Sequence, residues 1–208
     1  MLELAAASFV TLFVIFDSVG NVPIFLSITP GASAVQRRGI ALRGTLIAGG
    51  VLVVFGVGGE ALLRALGITL PAFRIAGGIL LLLLAIEMVF ARQSGLRTTT
   101  SGEAEEAAHS PDVAVFPLAV PLLAGPGALA SMLLLMGEAG TAIAHQAVVL
   151  ISLFGVLAAT FAILVLGGQI LARVGVTGVN VLTRIFGIVL SALAVQYIID
   201  GVQQTLAA

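Results

Sequence analysis

The chain has 208 residues, 60% hydrophobic and 9% charged, with a mean hydropathy of +1.21, which excludes an ordinary water-soluble domain and makes lipid the main solvent. A formal net charge of −1 offers no basic field to nucleic-acid phosphates. There is no lysine, tryptophan or cysteine, so disulfides, thiolate metal sites and thiol redox chemistry are excluded as well.

A membrane-crossing helix needs about 20 apolar residues. The sequence predicts six such stretches, near 4–28, 39–66, 70–91, 113–136, 141–173 and 178–202. The start, Met-Leu-Glu, lacks a positive region and a small-residue cleavage site, so the first stretch reads as a retained span. Near its middle it is interrupted by Asp17-Ser-Val-Gly-Asn-Val-Pro23. A carboxylate in mid-span costs about 2.5–3.5 kcal/mol on insertion scales. Asp17 is therefore either a proton or cation site that also meets a substrate amine, or a protonated, hydrogen-bonded helix contact. Asn21, one turn on, shares its helix face and could hold the same ligand.

Glu60, Glu87 and Asp200 fall toward span ends, where they read as boundary or gate residues. The third span opens with Arg74 and the sixth with Arg184, each in an Arg-Ile-x-Gly tetrad. Both arginines are candidates for an ion pair, a gate or a headgroup contact. Residues 92–112, with Thr98-Thr-Thr-Ser-Gly-Glu-Ala-Glu-Glu106, are polar, acidic and aperiodic, and read as a linker between a first unit at 1–91 and a second at 113–208.

The fourth span cannot be one unbroken helix. In Phe116-Pro-Leu-Ala-Val-Pro-Leu-Leu-Ala-Gly-Pro-Gly-Ala-Leu-Ala130, Pro117, Pro121 and Pro126 lack a backbone donor, and Gly125 and Gly127 flank the last of them. Backbone freed at membrane depth must be satisfied by protein, water or a ligand. Pro126 suits the first turn of a new half-helix, whose exposed N–H groups attract an anion such as a carboxylate; the rival reading is a kink that only serves packing.

The two halves repeat. Gly58-Gly-Glu-Ala-Leu-Leu-Arg-Ala-Leu-Gly-Ile-Thr69 aligns with Gly167-Gly-Gln-Ile-Leu-Ala-Arg-Val-Gly-Val-Thr177 after one gap, and Arg74-Ile-Ala-Gly77 then matches Arg184-Ile-Phe-Gly187. Three spans per half invert the second half relative to the first. The expected fold is all-α, with six transmembrane helices as two inverted three-helix repeats and helices 1 and 4 broken near mid-membrane. Arg37, Arg38, Arg43, Arg92, Arg97 and Arg173 adjoin the loops after spans 1, 3 and 5, against Arg64 and Arg74 on the other face, which puts both termini outside. No His-Glu-x-x-His, paired histidine or hydrolase signature occurs: His109 and His145 lie in or near loops, and Ser131 has no base in sequence reach. No metal, cofactor or enzymatic activity is expected.

The segments Gly67-Ile-Thr-Leu-Pro-Ala-Phe-Arg-Ile-Ala-Gly-Gly78, Val115-Phe-Pro-Leu-Ala-Val-Pro-Leu-Leu-Ala-Gly-Pro-Gly127, Thr183-Arg-Ile-Phe-Gly187 and Gln196-Tyr-Ile-Ile-Asp-Gly201 closely resemble the MarC family, over almost the whole chain. The resemblance implies a six-span protein of the bacterial or archaeal cytoplasmic membrane. A branch called SnatA looks like a transporter of small neutral amino acids, and the family is grouped with LysE-type exporters. The family's first-span motif is matched by Asp17, Gly20 and Pro23, while Ser18 stands where relatives carry a proline.

The resulting expectation is a transporter of a glycine- or alanine-like substrate, coupled to a proton or monovalent cation and working by alternating access. Asp17, Ser18, Gly20, Asn21, Pro23, Pro121, Gly125, Pro126 and Gly127 would hold the substrate, and Arg74, Arg184 and Glu87 would gate it or form ion pairs. Membrane lipid is the remaining partner, with homo-oligomer formation left open. The alternatives are an exporter of another small metabolite or ion and a non-transporting membrane scaffold.

Overall fold

The computed structural model describes residues 1–90 and 112–207, and every regular element among them is helical. The polar linker over 92–112, with Arg92, Arg97 and His109, lies outside the described residues apart from Asp112. In chain order the elements are α1 (Leu2–Phe16), α2 (Asn21–Ile28), α3 (Ala34–Ala65), α4 (Leu70–Phe90), α5 (Ala114–Leu123), α6 (Pro126–Ala139), α7 (Ile143–Val165) and α8 (Gly167–Leu206).

Four of these, α3, α4, α7 and α8, are each long and apolar enough to cross a membrane. α1 with α2 and α5 with α6 qualify only as pairs, bent by 48° and 59°, which makes six spans when each pair is counted as one. Both expected interruptions are therefore real bends. The outward side chains suit lipid: Leu46 is 65% exposed, Val54 73% and Ile151 69%, a surface that water would not tolerate on a stable monomer.

Local chemistry sets the ends. α3 starts at a reciprocal cap in which Gln36 N–H donates to Ser33 Oγ (3.3 Å) and Ser33 N–H donates to Gln36 Oε1 (2.8 Å). α1 stops at Asp17, whose backbone is left-handed (φ 41°, ψ 52°), a conformation that short polar side chains tolerate better than most. The fifth predicted span, 141–173, is too long. α7 ends at Val165 before the glycine pair Gly167-Gly168, and the next helical stretch is itself interrupted at Gly175 (φ 70°, ψ 167°).

Packing relies on glycines that admit a neighbouring helix. Gly78 abuts Ala194 and Ile198, Gly187 abuts Ala85, Met88 and Val89, and Gly201 abuts Pro71 and Ile75, so α4 and α8 run antiparallel in close contact. α3 lays Gly44 on Leu118 of α5 and Gly56 and Gly59 on Met132 and Leu133 of α6. α1 packs on α7, α6 and α8, and α6 sits between α3 and α4. The broken pairs are thus enclosed by the long helices.

Candidate functional site

At the first break Asp17, Ser18 and Asn21 each make a hydrogen bond to a neighbouring helix or to the break itself. Asp17 and Ser18 are fully buried and Asn21 is 1% exposed. Asp17 Oδ1 accepts from Gly20 N–H (3.2 Å) and from the Thr183 hydroxyl on α8 (3.3 Å). Ser18 Oγ lies 2.7 Å from Thr160 Oγ1 on α7. Asn21 Nδ2 donates to Phe16 O (2.8 Å), covering a carbonyl at the end of α1, while its Oδ1 has no partner. Gly20 is required here: a Cβ would collide with the Asp17 carboxylate and Thr183 Oγ1. Pro23 is the third residue of α2, where a missing N–H costs nothing.

The second break is built from proline and glycine. α5 winds in wide turns interrupted by extended residues at Phe116 and Val120, each followed by a cis proline, Pro117 and Pro121. Gly125 (φ −79°, ψ 173°) then caps α6, and Pro126 takes its first position. A Cβ on Gly125 would lie 2.6 Å from Pro121 O, and one on Gly127 would lie 2.9 Å from Leu84 Cδ2. Between them is a cleft of about 20 Å³, lined by Ile15 of α1, Leu80 and Leu84 of α4, and residues 121–123 and 125–128. That is room for one or two waters. The first-turn N–H groups of Gly127 and Ala128 have no acceptor within α6 and border this space.

Pro121, Gly125, Pro126 and Gly127 therefore share one cleft, whereas Asp17, Ser18, Gly20, Asn21 and Pro23 gather around the other break and do not line it. Ile15, two residues before Asp17, is the link between them. Arg74 is buried (6% exposed) and its Nη2 donates to Glu138 Oε1 at 3.0 Å. Arg184, its sequence equivalent, is exposed, and Glu87 is buried on α4 close to the opposite end of the span. Glu138, Thr160 and Thr183 were not singled out from the sequence. Glu138 was findable, since an arginine early in span 3 and a carboxylate late in span 4 fall at one end of the bundle. Nothing about an apolar span marks Thr160 or Thr183 as the threonine that meets a break.

The family model described as MarC family integral membrane protein matches residues 2–206. Among similar proteins, the inner membrane protein YhgN of Escherichia coli K12 is 36% identical over 203 residues, covering 98% of each chain. A membrane protein of Methanocaldococcus jannaschii is 36% identical over 199 residues, covering 96% of each. The membrane protein YvbG of Bacillus subtilis is 34% identical over 196 residues, covering 94% of this chain and 92% of that one. No solved structure matches the chain.

Proposed function

The chain belongs to the MarC family of integral membrane proteins, and we propose that it transports a small neutral amino acid of the glycine or alanine type across the cytoplasmic membrane by alternating access. The observation that carries this reading is the start of α6 inside the cleft. Gly125, Pro126 and Gly127 present unpaired first-turn N–H groups and the positive end of a helix dipole to a water-sized space at a mid-span break. A carboxylate is the natural guest of such an end. Asp17, at the companion break and joined to the cleft through Ile15, takes the coupling proton or cation or the substrate amine. The two halves act as inverted repeats that rock about this centre, with both termini outside.

The test is uptake of labelled glycine and alanine into proteoliposomes. The wild-type chain should accumulate label, while Asp17→Asn and Gly127→Leu should not. Normal transport by both variants would defeat the assignment. Ligand-dependent thermal shift across a metabolite panel separates an amino-acid carrier from an exporter of another solute.

A further inference from the structure

The seam between α4 and α6 joins the cleft to the Arg74–Glu138 pair, and two of the buried polar atoms without partners among the described residues, Ser131 Oγ and Arg74 Nε, belong to its helices. On α6, Gly127, Ser131 and Glu138 follow at intervals of four and seven, which stacks them on one helix face. On α4 the contacts descend in step: Leu84 and Leu81 meet Gly127, Gly77 meets Ala130 and Leu134, and Arg74 meets Glu138. The two helices therefore run antiparallel from the cleft to one end of the bundle.

Ser131 is fully buried with an unpartnered Oγ, and Arg74, 6% exposed, has an unpartnered Nε. A third such atom is Ser8 Oγ on α1, fully buried and two turns before the cleft-lining Ile15 on the same face. α1 runs toward the cleft and α6 away from it, so Ser8, Ser131 and Arg74 all lie between the cleft and the same end of the bundle. An unpaired polar group away from water is costly, and three such orphans, two hydroxyls and one guanidinium nitrogen, on one side of one cleft mark a route that a polar visitor completes.

We propose that the α4–α6 seam is the passage between the cleft and one membrane face, with Ser131 and Ser8 as its polar contacts and the Arg74–Glu138 pair as the bolt across its mouth. The pair ties α4, in the first half of the chain, to α6, in the second, so it must part whenever the halves separate on that side. The nature of the solute rests on the transport reading given above. The path and its bolt rest on the seam geometry alone.

The absence of cysteine from the sequence gives a clean test. Ser131→Cys and, as a control, Thr160→Cys are labelled in intact vesicles by a membrane-impermeant maleimide applied to the face nearest Arg74. With the ion pair intact, Ser131→Cys should label slowly. Arg74 is buried while the Glu138 side chain is 36% exposed, so adding Glu138→Gln should raise the rate about fivefold, the scale of a part-exposed pair, and leave Thr160→Cys silent. Reversing the pair, Arg74→Glu with Glu138→Arg, should return labelling to the slow rate. An unchanged rate in Glu138→Gln, an equal rise at Thr160→Cys, or no recovery in the reversed pair would each overturn the proposal and leave the ion pair a packing contact. Labelling needs no solute, so a failure of amino-acid uptake would sink the proposed function and leave this result standing.

Discussion

Ser18 Oγ and Thr160 Oγ1, 142 positions apart in the chain, lie 2.7 Å from each other and pin the first break to α7. Thr160 spends its own proton on Val156 O at 2.8 Å, so Ser18 is the donor of the pair. At position 18 the chain has a hydroxyl that ties the break to a neighbouring helix. Both residues are fully buried, yet hydroxyl pairs within membranes are worth little, because the loosened state finds partners too. A double-mutant cycle of Ser18→Ala and Thr160→Val, read by thermal unfolding in detergent, should give a coupling of about 0.6 kcal/mol and no more than about 1.7 kcal/mol. Strict additivity would mean that the pair does not hold the break.

Gly20 sits where any side chain would land on the Asp17 carboxylate and on Thr183 Oγ1. Gly20→Ala therefore cannot keep the Asp17–Thr183 contact, and the carboxylate must swing out of its place on α8. The expected result is a loss of about 1–3 kcal/mol, as for overpacked cores, together with loss of uptake in proteoliposomes. Thr183→Val removes the same hydrogen bond without moving the backbone, and should lower transport with a smaller effect on the melting temperature. A Gly20→Ala protein that transports normally would show that the Asp17 position is not used.

The two glycines around Pro126 should respond in a fixed order. At Gly125 the obstacle to a Cβ is the Pro121 carbonyl, 2.6 Å away, and backbone cannot yield cheaply. At Gly127 the obstacle is Leu84 Cδ2 at 2.9 Å, the tip of a flexible side chain. Gly125→Ala should thus cost more stability than Gly127→Ala. Adding Leu84→Ala should relieve only the second, a difference measurable by thermal unfolding of the purified variants.

Much of this architecture was legible in the sequence because membranes make composition informative. The mid-span Asp17 and the Gly125-Pro126-Gly127 run fall at the two bends, since hydrocarbon tolerates neither a proline inside a helix nor an uncovered carboxylate without rearrangement. Gly67 and Gly175, matched across the two halves, even share a left-handed backbone, with φ of 71° and 70°. What stayed hidden depends on rotation about helix axes. Hydropathy is nearly uniform around these spans, so it cannot say that Thr183 faces Asp17, that Glu138 faces Arg74, or that Arg184 turns outward although its sequence equivalent is buried. The end of α7 at Val165 was missed for a related reason: the apolar run continues through Leu166, the residue at which the helix breaks before α8 begins at Gly167.

The α4–α8 contact allows a sharp contrast between two glycines that look alike in sequence. A Cβ at Gly187 would come within 2.8 Å of Met88 Cβ, 2.9 Å of Val89 N and 3.0 Å of Ala85 O, so two of its three nearest neighbours are backbone atoms. At Gly50, in the middle of α3, nothing lies within 4 Å. Intrinsic helix propensity favours alanine over glycine by about 1 kcal/mol at both positions. At Gly50 that preference is unopposed, and Gly50→Ala should leave the melting temperature unchanged or raise it. At Gly187 the antiparallel helices would have to move apart along their whole contact, so Gly187→Ala should destabilise by about 1–3 kcal/mol despite the better propensity. Equal tolerance at the two sites would mean that α4 and α8 do not approach as closely as the backbone contacts at Gly187 require.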